Sequence, residues 1–342
     1  MKQKVSIIIL NWNGWEDTIE CLESLYQVDY PDYDVIVVDN GSQIESVEML
    51  KKYASGDLSV ESDFFVYNEF NKPINIFEYT AKGLKSLQII NENYNNLNSN
   101  NKLILIKNEI NSGFSEGNNI GIKFSLQFLN SDYILLLNND TVVDKNFLNE
   151  LVKFADTDHK AGIVGPMVNY YDKPDKTAYI GHNVNLCNGR ISDPPIIDVN
   201  NPKSVQIDYV VGCGLLIKRR VIDDIGLLDP NYFLYYEDAD WCLRAKKHGY
   251  DIFYVPKSKI WHKIPSEEIR SLSSYYYGNR NSFLLIKKNR DSFNLFCYIQ
   301  LFINKLIFAL YLMVKGKSNA SNMVMHAVYD AIRDDYGYKK LE

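Results

Sequence analysis

Val5-Ser-Ile-Ile-Ile-Leu-Asn-Trp-Asn-Gly14 decides the fold. The apolar run is short, continuous and rich in β-branched residues, which is the pattern of a strand buried on both faces. It is too short for a secretory signal and ends in the polar turn Asn11-Trp-Asn-Gly14. A helix is expected over 16–26, with Ile19, Leu22 and Leu25 on one face. Pro31 breaks the chain, Val35-Ile-Val-Val38 reads as a second buried strand, and a second helix is expected over 43–53. Strand–helix–strand–helix order favours a parallel sheet with right-handed crossovers, an α/β fold. Ligands of such sheets bind beyond the carboxyl ends of the strands. Asn11, Asn13, Asp39 and Asp140 all stand just past an expected strand end.

Outward from this core, residues 56–101 read as an insertion. It contains the nearly low-complexity run Asn91-Glu-Asn-Tyr-Asn-Asn-Leu-Asn-Ser-Asn-Asn101, expected as an exposed loop, and an expected helix over 79–90. Strands are expected at 103–106 and 133–137, with helices from about 113 to 129 and over 147–155. Residues 162–220 read as strands and loops, including an apolar strand over 210–217 interrupted by Gly212 and Gly214. A short helix is expected over 240–248, closed by Gly249, then a strand over 252–255 and a helix over 275–288. Residues 295–314 approach the length of a membrane span, but Gln300, Asn304 and Lys305 are poorly placed for a lone span. Two readings stay open: an interfacial helix on a membrane surface, or a helix docked on the domain or on a second copy of the chain.

The chain has 342 residues, 46% of them hydrophobic, enough for one large α/β domain with an appendage. Net charge is -6 and no Lys/Arg block stands out, which argues against nucleic acid as a partner. The five cysteines are scattered without CxxC spacing, so neither a zinc site nor a disulfide framework is expected, and a reducing cytoplasm fits.

The chemistry concentrates in Gly226-Leu-Leu-Asp-Pro-Asn-Tyr-Phe-Leu-Tyr-Tyr-Glu-Asp-Ala-Asp-Trp241. Three acids follow an aromatic and aliphatic run. Burying carboxylates costs several kcal/mol unless something compensates, so acids placed here are expected to serve chemistry. An apolar wall can raise a carboxylate toward the working range of a general base. A capped helix start accounts for one acid comfortably, but not for three. Asn138-Asn139-Asp140, after its apolar run, offers oxygen ligands for a hard cation.

Five motifs occur in order: Val5 to Gly14, Val37-Val-Asp-Asn-Gly-Ser42, Asn111-Ser-Gly-Phe-Ser-Glu-Gly-Asn-Asn119, Leu137-Asn-Asn-Asp140 and Tyr236-Glu-Asp-Ala-Asp-Trp-Cys-Leu-Arg244. Together they resemble family-two glycosyltransferases, especially the rhamnosyltransferase-like branch that builds bacterial surface polysaccharides. The resemblance covers about residues 4–290. It implies a GT-A (Rossmann-like) fold with a mostly parallel sheet flanked by helices, a nucleotide-diphosphate-sugar donor such as a UDP- or dTDP-sugar, Mn²⁺ or Mg²⁺, and inversion at the anomeric carbon. Residues 1–290 would form the catalytic domain and 291–342 a C-terminal helical extension that binds a membrane or pairs copies of the chain.

On this resemblance Asp238 is the catalytic base and Glu237 orients the sugar. Asp140 is the metal carboxylate and His262 completes the metal shell. Leu10, Asn11, Asn13 and Asp39 would line the nucleotide pocket, with Asn138 and Asn139 beside them. Gly113 and Asn118 open a helix whose backbone N–H groups would face a phosphate. A basic residue is common in relatives where Asn118 stands, so diphosphate contact is expected to fall to the metal or to Arg280. Gly212, Gly214 and Trp241 are expected on the acceptor side, where a glycan or lipid-linked glycan would enter. Asn138 replaces an acid of the metal motif, which keeps a second reading open: a catalytically impaired nucleotide-sugar-binding or scaffold subunit of a glycan assembly complex. A nucleotidyltransferase would want an early glycine-rich basic loop, and 10–14 has one glycine and no Lys or Arg. The expected location is cytoplasmic, at the inner face of the cell membrane.

Overall fold

The computed structural model describes residues 3–86, 94, 97–185, 190–192, 204–265, 270–289 and 295–341. In chain order the strands are β1 Val5–Asn11, β2 Tyr33–Asn40, β3 Asn75–Thr80, β4 Lys102–Asn108, β5 Tyr133–Asn138, β6 Thr141–Val143, β7 Ala161–Tyr170, β8 Thr177–Tyr179, β9 Asn183–Asn185, β10 Arg190–Ser192, β11 Val205–Ile207, β12 Gly214–Lys218 and β13 Asp251–His262. The helices are α1 Trp15–Leu25, α2 Ile44–Ser55, α3 Gly113–Phe124, α4 Phe147–Thr157, α5 Arg219–Ile225, α6 Glu237–Lys247, α7 Leu272–Lys288, α8 Leu295–Val314 and α9 Ser318–Ile332.

The main sheet runs β11-β13-β7-β12-β5-β1-β2-β4-β3, with β6 on β13 and β8 on β7. Pairings among β3, β4, β2, β1 and β5 are parallel, and β12 enters antiparallel between β5 and β7. Both faces of β1 are covered, which explains its unbroken apolar run. Val5, Ile7 and Ile9 pack on one face with Leu22 and Leu25 of α1 and Leu148 and Leu151 of α4. Ile8 packs on the other with Ile120 and Ile122 of α3 and Trp241 of α6.

Two expectations are corrected here. Tyr79 lies in edge strand β3, paired with Ile106, so the helix expected over 79–90 does not begin there; residues 87–90 are outside the described residues. Ile76, Phe77, Tyr79 and Thr80 are β-branched or aromatic, the types that favour a strand, and they form the sheet edge beside β4. The strand expected over 210–217 is regular only from Gly214, because Gly212 donates its N–H to Asp238 Oδ2 at 3.0 Å instead of to a neighbouring strand. Part of the run 91–101 and Cys187 also fall outside the described residues; the four described cysteines are buried.

The stretch around residues 68–72 is tied to α1 through a buried charge. Glu23 has no solvent exposure and accepts from Lys72 Nζ at 2.9 Å, Tyr53 Oη at 2.7 Å and Asn68 N–H at 2.8 Å. Glu23→Leu strands the ammonium in the interior, and breaking such a pair costs about 3–5 kcal/mol. Urea unfolding should therefore show an unfolding free energy lower by that amount. A shift below about 1 kcal/mol would show that the pair adds nothing net.

Helices α7, α8 and α9 pack on one another through two small apolar clusters. Tyr275, Ala309, Leu312 and Val324 form one, and Phe283, Leu301, Val328 and Ala331 the other.

Candidate active site

The carboxyl ends of β1, β2 and β5 lie side by side, with Asn11 in register with Asp39 and Leu10 with Asn138. Beside them opens a cleft of about 960 Å³, within the range of small-molecule sites. Asn138, Asp140, Gly212, Glu237, Asp238 and His262 line it. Strands β5 and β13, the loop before β12 and the first turn of α6 therefore bring those six expected residues together.

The backbone before α6 is strained. Tyr235 and Tyr236 both adopt left-handed conformations, φ 70° and 74°, unusual for aromatic residues and costly unless the surroundings enforce them. Asn281 of α7 enforces them: its Nδ2 donates to the carbonyls of Leu234 and Tyr235, both at 2.9 Å. The kink starts α6 at Glu237, three residues before the expected start at Asp240, and turns Glu237 and Asp238 into the cleft.

The environments of the two acids differ. Burial, with the neighbouring Asp238 charge adding to it, holds the Glu237 pKa well above the ordinary carboxylate range. Glu237 Oε2 is buried without a hydrogen-bond partner. Asp238 is also raised by burial, to about 6, while the N–H groups of Ala239 and Gly212 favour its charged form. The shift favours Glu237 as an acid that can donate a hydrogen bond, beside an Asp238 carboxylate that can take a proton at neutral pH. Asp240 faces away, paired with Arg244 and Lys288, each at 2.8 Å.

Asp140 Oδ1 lies 2.9 Å from His262 Nε2, and Asn138 Nδ2 lies 3.4 Å from the same nitrogen. Burial alone would raise the Asp140 pKa, but the hydrogen bond and charge of His262 bring it below the ordinary value. One carboxylate, one imidazole and one amide are ligand types that a divalent cation takes. Among the described residues no group of three or more His, Cys, Asp or Glu side chains is clustered for a metal.

Leu10, Asn11, Asn13 and Asp39 stand at the same sheet edge but not in the cleft lining. Asp39 is buried, accepting from Asn11 Nδ2 at 2.9 Å and Ser42 N–H at 3.3 Å. Asn13, with φ 56°, accepts from Gln43 N–H at 2.8 Å. Asn139 donates to Gly14 O and Thr18 Oγ1, both at 3.1 Å, pinning the β1–α1 turn.

Other placements correct the sequence reading. Arg280 is fully buried under the C-terminal tail, donating to Gly337 O at 2.8 Å and stacked over Tyr276, Tyr277 and Tyr336. It cannot reach a diphosphate. Trp241 is fully buried in the core, its indole N–H on Gly226 O at 2.9 Å. A Cβ at Gly214 would meet Pro166 and Ile260, so this glycine serves strand packing rather than an acceptor. Two N–H groups at the start of α3 are already taken: Gly113 donates to Asn111 Oδ1 and Phe114 to Phe233 O. Asn118 is buried and donates to Phe114 O at 2.9 Å. Arg270, Ser274, Asn279 and Lys305 line the cleft without having been expected. Lys305 was visible only as a charge inside an apolar run.

The sequence profile described as glycosyltransferase-like family 2 matches residues 87–290, and that of glycosyl transferase family 2 matches residues 6–72. The chain is 29% identical over 184 residues to the low-salt glycan biosynthesis hexosyltransferase Agl10 of Haloferax volcanii, covering 51% of this chain and 57% of that protein. It is 26% identical over 238 residues to the dTDP-rhamnosyl transferase RfbF of Shigella flexneri, covering 65% and 76%. The N-acetylglucosaminyl-diphospho-decaprenol L-rhamnosyltransferase of Mycobacterium tuberculosis is 23% identical, over 47% of this chain and 56% of its own length. The match thus spans little more than half of the Haloferax and Mycobacterium relatives. Among solved structures, GalNAc-T7 with UDP, GalNAc and Mn²⁺ superposes with a TM-score of 0.56 at 15% identity, over 83% of this chain and 48% of that one. The mannosyltransferase PcManGT of Pyrobaculum calidifontis with GDP-Man and Mn²⁺ gives 0.55 at 12% identity, over 98% and 88%. The fold is the GT-A arrangement that the five motifs led us to expect.

Proposed function

The chain belongs to glycosyltransferase family 2, and from that premise we propose that it transfers a sugar from a UDP- or dTDP-sugar to a hydroxyl of a glycan or lipid-linked glycan, with inversion. Residues 1–290 carry the reaction. The observation that carries this reading is geometric: one strained turn at Tyr235 and Tyr236 delivers Glu237 and Asp238 together into the cleft that Asp140 and His262 line.

Asp238 takes the proton of the acceptor hydroxyl as that oxygen bonds to the anomeric carbon. The bond from that carbon to the diphosphate oxygen breaks on the opposite face, and its electron pair leaves with the nucleotide. One carboxylate suffices, since no covalent intermediate forms. Glu237 donates a hydrogen bond that orients a sugar hydroxyl. Asp140, His262 and Asn138 would hold Mn²⁺ or Mg²⁺, which neutralises charge developing on the departing diphosphate. The base and ribose would lie against Leu10, Asn11, Asn13 and Asp39. The dTDP-rhamnosyl relative and the Mn²⁺ complexes of the fold neighbours support the donor and metal classes, and the decaprenyl relative supports a lipid-linked acceptor. A role in surface-polysaccharide assembly at the cytoplasmic membrane face follows from that acceptor.

The test is a screen of nucleotide sugars by released nucleotide, comparing Mn²⁺, Mg²⁺ and chelator. One UDP- or dTDP-sugar should turn over with metal and stall with chelator. Binding without turnover across the panel would instead favour the scaffold-subunit reading.

A pH profile checks the base. Asp238 must be unprotonated to act, and its pKa is raised to about 6. Below that value kcat/KM should fall about tenfold per pH unit, and above pH about 7 it should be level. A flat profile from pH about 5 to 8 would remove Asp238 from the role.

A further inference from the structure

The turn that delivers Glu237 and Asp238 is held by a chain of contacts that leads out of the 1–290 domain. Asn281 has no solvent exposure. Its amide N–H group engages the turn twice, at Leu234 O and at Tyr235 O. An amide must be the right way round to do this, and Arg280 sets it: the Arg280 Nε–H donates to Asn281 Oδ1 at 3.1 Å. The two carbonyls so gripped directly precede Tyr235 and Tyr236, whose left-handed backbone persists only where the surroundings hold it.

Arg280 is in turn held by the tail. Its Nη2 donates to Gly337 O at 2.8 Å, and its guanidinium lies 5.2, 5.0 and 5.6 Å from the ring centroids of Tyr276, Tyr277 and Tyr336. A guanidinium without solvent exposure is costly, and the ring faces around it offset that cost. An apolar side chain would fill the same space with no charge to bury. What it could not do is join separate segments by directed bonds: the tail at Gly337, α7 at Asn281 and, through Asn281, the active-site turn.

The tail also touches the loop before α6 directly. Gly337 donates its N–H to Asn231 O at 3.0 Å, so one residue bonds both that loop and Arg280. Its φ of 86° is a conformation that favours glycine. Tyr338 packs on Phe233 with ring centroids 5.1 Å apart, and Phe233 stacks on Tyr277 of α7. The tail is itself pinned: Lys339 donates its N–H to Tyr277 Oη at 2.9 Å, and its Nζ reaches Asp330 of α9 at 3.1 Å. From the opposite side α3 holds the same loop, with the Phe114 N–H on Phe233 O at 2.7 Å. The loop is therefore gripped between the domain and the tail.

We propose that residues 336–341 form a latch on the active-site loop, and that Asn281 is the positioning residue through which the latch aims Glu237 and Asp238. The reacting groups lie within 1–290, but the contacts that aim them do not. This deepens the transferase reading and rests on it.

The experiment compares the full chain with its Asn281→Ala, Asn281→Asp and Gly337→Val variants. Three quantities are measured: steady-state release of nucleotide, calorimetric nucleotide binding, and amide hydrogen exchange over residues 230–243. Asn281→Asp is nearly isosteric but has no N–H to donate, so it removes the grip and keeps the volume. Both Asn281 variants should lose about 30-fold in kcat, short of the roughly 100-fold that a 1 Å misplacement can cost, with donor KM and nucleotide affinity unchanged. Exchange over 230–243 should speed up while that of β1 stays as it was. Gly337→Val, which forces a branched side chain into the left-handed region, should move turnover and exchange the same way by less. Full turnover in Asn281→Asp would overturn the positioning role. Nucleotide affinity lost in step with kcat would mean that the fold rather than the aim had failed, and would overturn it too. Gly337→Val indistinguishable from the unchanged chain would remove the tail from the latch. An unchanged chain that turns over no nucleotide sugar would count against the transferase reading, and the exchange arm would still judge the latch: exchange unaltered in the Asn281 variants overturns it whatever the activity.

Discussion

Asp238→Asn lowers turnover by about three orders of magnitude, within the range for loss of a general base, and leaves nucleotide affinity unchanged. The amide oxygen can still accept the Ala239 N–H, held by Oδ1 at 2.7 Å, while the Gly212 N–H, held by Oδ2 at 3.0 Å, loses its acceptor to the NH2 group. The strained turn at Tyr235 and Tyr236 is held from outside, by Asn281, so it does not depend on the lost charge. What disappears is the acceptor for the hydroxyl proton. Steady-state release of nucleotide, with calorimetric nucleotide binding on the same preparation, checks both halves. Loss of binding along with turnover would move Asp238 to the donor site, and retained turnover would remove it from catalysis.

Asp140→Ala has the second-largest expected effect. It deletes the carboxylate of the proposed metal site, in which His262 would be the one other strong ligand, and it leaves the buried His262 ring without its 2.9 Å partner. Loss of outer-shell partners alone costs 10–100-fold in metal affinity or activity, so loss of this ligand should weaken Mn²⁺ by at least about 100-fold. Nucleotide release should then require far more Mn²⁺, which a metal titration of the rate reads directly. Asn138→Asp should move the other way, since a second carboxylate would face the cation that the neutral amide now faces weakly. An unchanged metal dependence in Asp140→Ala would place the cation elsewhere.

The parts of this molecule legible in its sequence are those set by strong, local rules. β1, β2 and β5 are buried on both faces, so their apolar runs stand out without any partner being known. The polar residues that follow those runs had to lie on one edge of a parallel sheet. The acids of the 226–241 stretch were legible as chemistry because no apolar core keeps three of them without a reason. Asp240 nevertheless proved structural, since Arg244 stands one helical turn on and Lys288 comes from a distant helix. Arg280 and Trp241 misled for a common reason. A sequence gives the residue type but not the side of the helix it occupies, and the packing of α7 and α6 turned both inward. Asn281 and Lys305 were illegible for the converse reason. Asn281 meets the carbonyls of a kinked turn and Lys305 lines a cleft, both made only by tertiary contact.

A crystal structure grown with Mn²⁺ and the nucleotide found in the donor screen tests the central claim most directly. Anomalous density should lie between Asp140 and His262, bridged to the diphosphate, with the Asp238 carboxylate facing the sugar side of the same cleft. Manganese bound away from that pair, or a nucleotide seated outside the cleft, would contradict the account.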